Sequence, residues 1–91
     1  MATVNIEDYS WIARGKQRRK IIAVMYKLRT PTELKEEVKL TLANVSRVLR
    51  DLEKRKLAMC LNPKAITGRV YELTPQGKII RDKLLEREKR S

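Results

Sequence analysis

The sequence has no histidine, no phenylalanine, one cysteine and one tryptophan. Without histidine the chain lacks the commonest general base, the usual partner of a nucleophilic triad and the commonest zinc ligand. A lone cysteine excludes an internal disulfide and a cysteine–histidine metal site. With no secretory signal, it fits a reducing, cytoplasmic setting. No run of about 18 apolar residues is present, so no membrane span is expected. Aromatic residues make up only 4% of the chain, so the core must be aliphatic. These absences point away from an enzyme, and no metal or cofactor is assigned.

What is abundant is positive charge. Lysine and arginine number 22 against 11 acidic residues, a formal charge of +11 in 91 residues. Such a balance calls for a polyanionic partner, nucleic acid first and an acidic membrane surface second. The length allows a single domain, 1–91, and a folded chain of this size hides only about 60% of its unfolded surface. The charge is uneven, and residues 14–29 alone carry +7.

Ile21, Ile22, Met25 and Leu28 recur at helical spacing, which predicts a helix from near Gly15 to near Arg29. Residues 1–13 read as an N-terminal extension in which Tyr9–Ala13 adds a turn, with Trp11 and Ile12 packing back. Thr30-Pro31-Thr32-Glu33 is a helix start, with Thr30 as N-cap, Pro31 at the first position and Glu33 closing a capping box. That helix runs to about Lys39. Thr41 then caps a helix over 42–55 in which Val45, Val48, Leu49 and Leu52 share one arc. Ala43, Arg47, Arg50 and Lys54 fall on the opposite arc, with Asn44 and Ser46 at its margins. Leu57–Leu61 and Arg69–Leu73 read as short strands joined by the loop 62–69. Thr74-Pro75 starts a last helix with Ile79, Ile80 and Leu84 inward, and 87–91 is expected to fray.

The fold expected is α+β, mostly α: a winged helix-turn-helix with a three-helix core, a two-stranded wing and a C-terminal helix. The segment Leu40-Thr41-Leu42-Ala43-Asn44-Val45-Ser46-Arg47-Val48-Leu49-Arg50-Asp51-Leu52-Glu53 resembles the recognition helix of winged helix-turn-helix repressors, whose ArsR and MarR groups are the best known. Small archaeal ArsR-like regulators combine a basic segment like Arg14–Lys20, a Thr-Pro helix start and a Val-Ser-Arg core like Val45-Ser46-Arg47. They also carry a wing like Cys60-Leu61-Asn62-Pro63 with Gly68-Arg69-Val70-Tyr71, then Leu73-Thr74 and Gly77-Lys78. The likeness spans roughly residues 12–85. The chain departs from the pattern at Lys56-Leu57, where members often have Gly-Leu. It also lacks the paired cysteines of the metal-sensing branch, so metal sensing is not supported.

Arg47 and Arg50 are the leading candidates for base or phosphate contacts, since arginine bonds guanine bidentately and Asn44 can do the same for adenine. Their plainer reading is a solvated face near Asp51 and Glu53. Leu42 and Ala43 are placed to touch a thymine methyl, and Ser46 to cap, pack or meet phosphate. Lys64 and Arg69 either enter a minor groove or track a phosphate strand, or they flank an ordinary turn. Ile66, at the loop tip, either packs back or meets sugars.

Lys16, Arg18, Arg19 and Lys20 sit at a helix N-terminus, the wrong end of the dipole for cations. Either a phosphate partner explains them, or solubility, or pairing with Glu7, Asp8, Glu33 or Glu37. Lys35 joins Lys16, Arg18 and Arg19 as an expected phosphate contact. Three glutamates, Glu33, Glu36 and Glu37, read as solvated rather than as a metal or acid–base site. Cys60 reads as a small core residue, with redox sensing the alternative.

The expected function is sequence-specific binding of double-stranded DNA by a cytoplasmic, nucleoid-associated transcription regulator, helix 42–55 in the major groove and wing 62–69 beside it. The alternative is a winged-helix protein-interaction or RNA-associated module in a larger assembly. A homodimer is expected by analogy, with Trp11, Ile80 and Leu84 either as surface candidates or as filling of the monomer core. No effector is identifiable.

Overall fold

The computed structural model describes residues 5–90, with side chains described through Glu88. Residues 1–4 of the expected extension and Ser91 of the tail lie outside them.

The chain folds as α1 (Ile6–Arg14), α2 (Lys16–Ala23), α3 (Pro31–Val38), α4 (Leu42–Lys54), β1 (Ala58–Cys60), β2 (Tyr71–Leu73) and α5 (Pro75–Arg90). This is the expected winged helix-turn-helix, with one more full helix at its start. Where a single turn was expected around Tyr9–Ala13, α1 runs for 9 residues. Asn5 caps it by accepting from the Asp8 N–H at 3.1 Å, and Glu7 and Asp8 complement its dipole.

The helix expected to reach Arg29 stops at Ala23. Met25 is buried as its spacing requires, but Leu28 is 49% exposed. The reason is tertiary. Arg29 pairs as a strand with Tyr71, through N–H···O=C bonds of 2.9 and 2.8 Å in the two directions. An extended Arg29 cannot continue a helix, so the linker leaves the helical path despite its periodic pattern.

The helix-turn-helix follows its local chemistry. Glu33 N–H donates to the Thr30 hydroxyl at 3.2 Å, and Thr30 N–H donates to the Glu33 carboxylate at 3.1 Å. Those bonds from the Thr30 backbone and hydroxyl hold the Glu33 carboxyl below its ordinary range. Lys39, at φ 60°, ends α3, and Thr41 caps α4 by accepting from the Asn44 N–H at 3.1 Å. Val45, Val48, Leu49 and Leu52 are all buried, as their arc requires.

Past α4, Leu57 N–H bonds the Leu52 carbonyl at 2.9 Å and Lys56 N–H bonds Glu53 at 3.0 Å. With Lys56 at φ 61°, this is a Schellman ending, with lysine where glycine is the comfortable residue.

β1 and β2 pair antiparallel, with Ala58 opposite Leu73 and Cys60 opposite Tyr71. These four residues face the core while Met59 faces out, the period of two expected of a half-buried sheet. The strands are shorter than expected because the Leu57 N–H serves the α4 ending and the Asn62 side chain takes over the Val70 N–H. Cys60 is a buried core residue, its thiol 3.6 Å from Asn62 Oδ1.

The core is aliphatic, built on Ile12, Ile21, Ile22, Leu34, Val45, Leu49, Leu52 and Ile80. Ile80 and Leu84 are 1% and 6% exposed, so these two expected dimer-surface residues are filling the chain's own core. The backbone of α5 stays helical to Arg90, past the point where fraying was expected.

Two substitutions probe the tightest joints. A Cβ on Gly77 would lie 2.1 Å from the Leu57 carbonyl oxygen. Gly77→Ala therefore destabilises by roughly 2 kcal/mol in urea melts, the backbone clash outweighing a helix-propensity gain of about 1 kcal/mol. Lys56→Gly acts in the opposite direction and raises stability by about 1 kcal/mol in the same melts, because it relieves the left-handed lysine.

Candidate nucleic-acid interface

α4 turns its aliphatic arc inward and leaves Ala43, Arg47, Arg50 and Lys54 exposed. Leu42, in the first turn, is 47% exposed, and Asn44 and Ser46 are half-buried at the margins. Arg47 donates from Nη2 to Asn44 Oδ1 at 2.8 Å, so the amide and the guanidinium form one polar unit on adjacent turns. Among the described residues, neither Arg47 nor Arg50 makes an ion pair with Asp51 or Glu53. This removes the main support for a self-neutralised face.

An open groove of about 560 Å³ runs along this helix. Leu42, Ser46 and Arg50 form one wall, Thr30–Thr32 at the start of α3 another, and Ile66–Arg69 of the wing the third. Tyr71 closes its root. A smaller cleft of about 290 Å³ flanks the other side of α4, between Arg47, Val48 and Asp51 and the residues Gly15–Arg18.

The wing is braced internally. Asn62 donates to the Gly68 carbonyl at 3.1 Å and accepts from the Val70 N–H at 2.8 Å. Arg69 donates from Nε to the Ala65 carbonyl at 3.0 Å and from Nη2 to Pro63 at 2.9 Å. Arg69 thus holds the loop in shape as well as flanking it, whereas Lys64 is exposed and unpaired among the described residues.

The basic cluster at the start of α2 has a different explanation from the one expected. Arg18 lies over the Trp11 ring at 4.3 Å and donates to the Trp11 carbonyl. Arg19 donates to the Ala13 carbonyl at 2.5 Å. These carbonyls belong to the last turn of α1, which has no helical donors left and carries the negative end of that helix's dipole. The cations that sit at the wrong end of α2 therefore sit at the right end of α1. Arg18 and Arg19 are half-buried brackets between the two helices, and Arg18 also lines the smaller cleft beside Arg47. The proposed acidic partners are also engaged elsewhere. Asp8 pairs with Arg55 at 2.9 Å, and Glu37 pairs with Arg29.

Lys16 stays exposed and lines the smaller cleft. Lys35 pairs with Glu36 at 3.7 Å and does not line the groove. Trp11, offered as a dimer surface, is half-buried beneath Arg18 and Arg55, the latter 4.1 Å from its ring. Ile66 does not pack back, being 97% exposed.

Two features were missed from the sequence. Thr30 and Thr32 line the groove, although Thr30 read only as a cap. Arg29 is 4% exposed, bonds the Val24 carbonyl at 3.2 Å and pairs with Glu37. Burial alone would lower its pKa, but the hydrogen bond and charge of Glu37 raise it overall, so it stays a cation. No sequence signal marks this pair, because it forms only when the linker folds against β2.

The fold is similar to those of solved winged-helix regulators. BpsR of Bordetella bronchiseptica, from a study of how 6-hydroxynicotinic acid regulates its DNA binding, matches with a TM-score of 0.72 at 13% identity, over 93% of this chain and 73% of that one. NadR in complex with 4-hydroxyphenylacetate matches at 0.69 and 20% identity, over 94% and 73%. MarR of E. coli in its apo form matches at 0.63 and 22% identity, over 84% of this chain but only 59% of its own. No family model matches the chain, and no curated protein matches it by sequence. Among the described residues no helix is long and apolar enough to cross a membrane.

The α1–α2 bracket can be tested with the chain's single tryptophan as reporter. Arg18→Gln is expected to cost about 1–2 kcal/mol in urea melts followed by Trp11 fluorescence, the sum of a ring contact and a carbonyl bond. Lys16→Gln in the same melts stays within about 0.5 kcal/mol of the parent.

Proposed function

We propose that this chain is a sequence-specific, double-stranded DNA-binding transcription regulator that lays α4 in the major groove with the wing 62–69 beside it. The carrying observation is the outer face of α4, free of ion pairs from Arg47 or Arg50 among the described residues, forming one wall of a groove completed by the α3 start and the wing. A major groove about 12 Å wide admits one helix, and the residues near that helix's N-terminus reach base edges. Leu42, Ala43, Asn44, Ser46 and Arg47 occupy that position on α4, and Arg50 follows one turn further along the exposed face.

Arg47 and Asn44 satisfy each other in the free protein. Base readout then requires that bond to be exchanged for bonds to guanine or adenine, which favours sequences that supply both partners. Lys16, Lys54 and Lys64, exposed and unpaired among the described residues, position the duplex by phosphate contacts, with the outer edge of Arg69 beside them. Two copies would read a palindrome with half-sites about 34 Å apart. The DNA-binding role of BpsR supports the reading, as does a charge of +11. The chain acts by binding and carries no catalysis, in the cytoplasm and on the nucleoid.

The test is selection of random duplex DNA by the purified chain at about 150 mM salt, where the Debye length is about 8 Å. An enriched palindrome is expected. Arg47→Ala and Arg50→Ala should each cost about 1–3 kcal/mol on the enriched site and relax its sequence preference. If each module neutralises roughly six phosphates, log K falls with log salt at a slope of about −5. Absence of enrichment, with affinity indifferent to Arg47→Ala and Arg50→Ala, overturns the reading in favour of an interaction module.

A further inference from the structure

We propose that Ile66, at the tip of the wing, is an apolar wedge that enters the minor groove of bound duplex DNA and kinks it at a deformable base step. The inference rests on the DNA-binding reading and adds a specificity determinant that makes no base hydrogen bond.

Ile66 is 97% exposed, more than any other large hydrophobic side chain among the described residues. The wing around it is built to keep it there. Asn62 ties the two sides of the loop together through Gly68 and Val70, and Arg69 ties Ala65 and Pro63 from below. Ala65 N–H bonds the Asn62 carbonyl at 2.9 Å. Gly68, at φ 69°, lets the chain turn back beneath the tip. Isoleucine is itself stiff at χ1, so the tip is a rigid apolar projection on a braced loop.

The charges around it indicate the partner. Ala65-Ile66-Thr67-Gly68 carries none, while Lys64 and Arg69 stand on either side. Ile66 lines the same groove as Leu42, Ser46 and Arg50, so one rigid approach brings α4 and the tip to the same surface. An apolar point between cations matches a groove with phosphate walls and a floor of base edges. Minor-groove proteins insert apolar side chains of this kind between base steps and kink the duplex by roughly 20–90°. Pyrimidine–purine steps unstack most easily, so a preference for TA or CA steps beneath the wing is expected without direct readout.

The experiment uses the duplex recovered by selection with the parent protein. It carries an energy-transfer pair at its ends and 2-aminopurine at the step beneath the wing. The parent protein should bend the duplex and raise the 2-aminopurine signal. Ile66→Ala, fully exposed and so harmless to folding, should bind the same α4 half-site roughly tenfold more weakly with an unchanged salt slope, and should lose both the bend and the signal. Ile66→Lys should steepen the salt slope by about one without restoring the kink. Unkinked binding by the parent, or parental bending by Ile66→Ala, overturns the wedge alone. A parent protein that recovers no duplex overturns the DNA-binding reading and the wedge with it.

Discussion

Arg29 sits where the α2–α3 linker, α3 and the wing meet. Its backbone makes a two-way bridge to Tyr71, its guanidinium bonds the Val24 carbonyl, and its charge faces Glu37 of α3. A cation this deeply buried carries a large desolvation cost, which a single partner only partly offsets. Its Nε has no hydrogen-bond partner, and the Glu33 carboxylate stands 4.0 Å away. The arrangement therefore contributes little net stability but fixes geometry. Tyr71 roots the wing and Thr30 begins α3, and these are two of the groove's walls. Linking both to one residue sets the distance between wing and helix-turn-helix, and with it the width of the groove.

A second bracket does the same work at the other end. Gly15 separates α1 from α2, and Arg18 and Arg19 reach back over the break to the carbonyls of α1. Arg55, from the end of α4, covers Trp11 and pairs with Asp8, so α1 is held to α4 as well as to α2. Both joints use arginine, whose planar fork satisfies carbonyls, carboxylates and aromatic faces at once.

The parts of this fold that could be read in advance are those decided locally. The Thr30–Glu33 box, the Thr41 cap, the four-residue aliphatic arc of α4 and the Thr74-Pro75 start each depend on residues within one or two turns. The parts that could not be read depend on contacts across the chain. The end of α2 follows from strand pairing between Arg29 and Tyr71, which overrides a periodic stripe through Leu28. The α2 cations looked misplaced because the dipole of their own helix was weighed and that of α1 was not. Lys56 is the instructive exception. Lysine in place of the glycine that a left-handed cap favours leaves the Schellman geometry intact and shows only as a left-handed lysine.

This division of labour also alters the meaning of a +11 charge. Arg18, Arg19, Arg29, Arg55, Arg69 and Arg81 all donate to carbonyls or carboxylates of the chain itself. Their charges add to the long-range field that draws in a polyanion, but their hydrogen bonds are committed to holding the fold. Lys16, Lys54 and Lys64, by contrast, are exposed and unpaired among the described residues. On α4, among the described residues, the Arg50 side chain makes no hydrogen bond or ion pair and that of Arg47 bonds only a neutral amide. An amide bond is the weaker kind of tether for a guanidinium, and a charged or bidentate acceptor replaces it at a profit. The outer face of α4 thus carries guanidinium donors that no ion pair engages among the described residues.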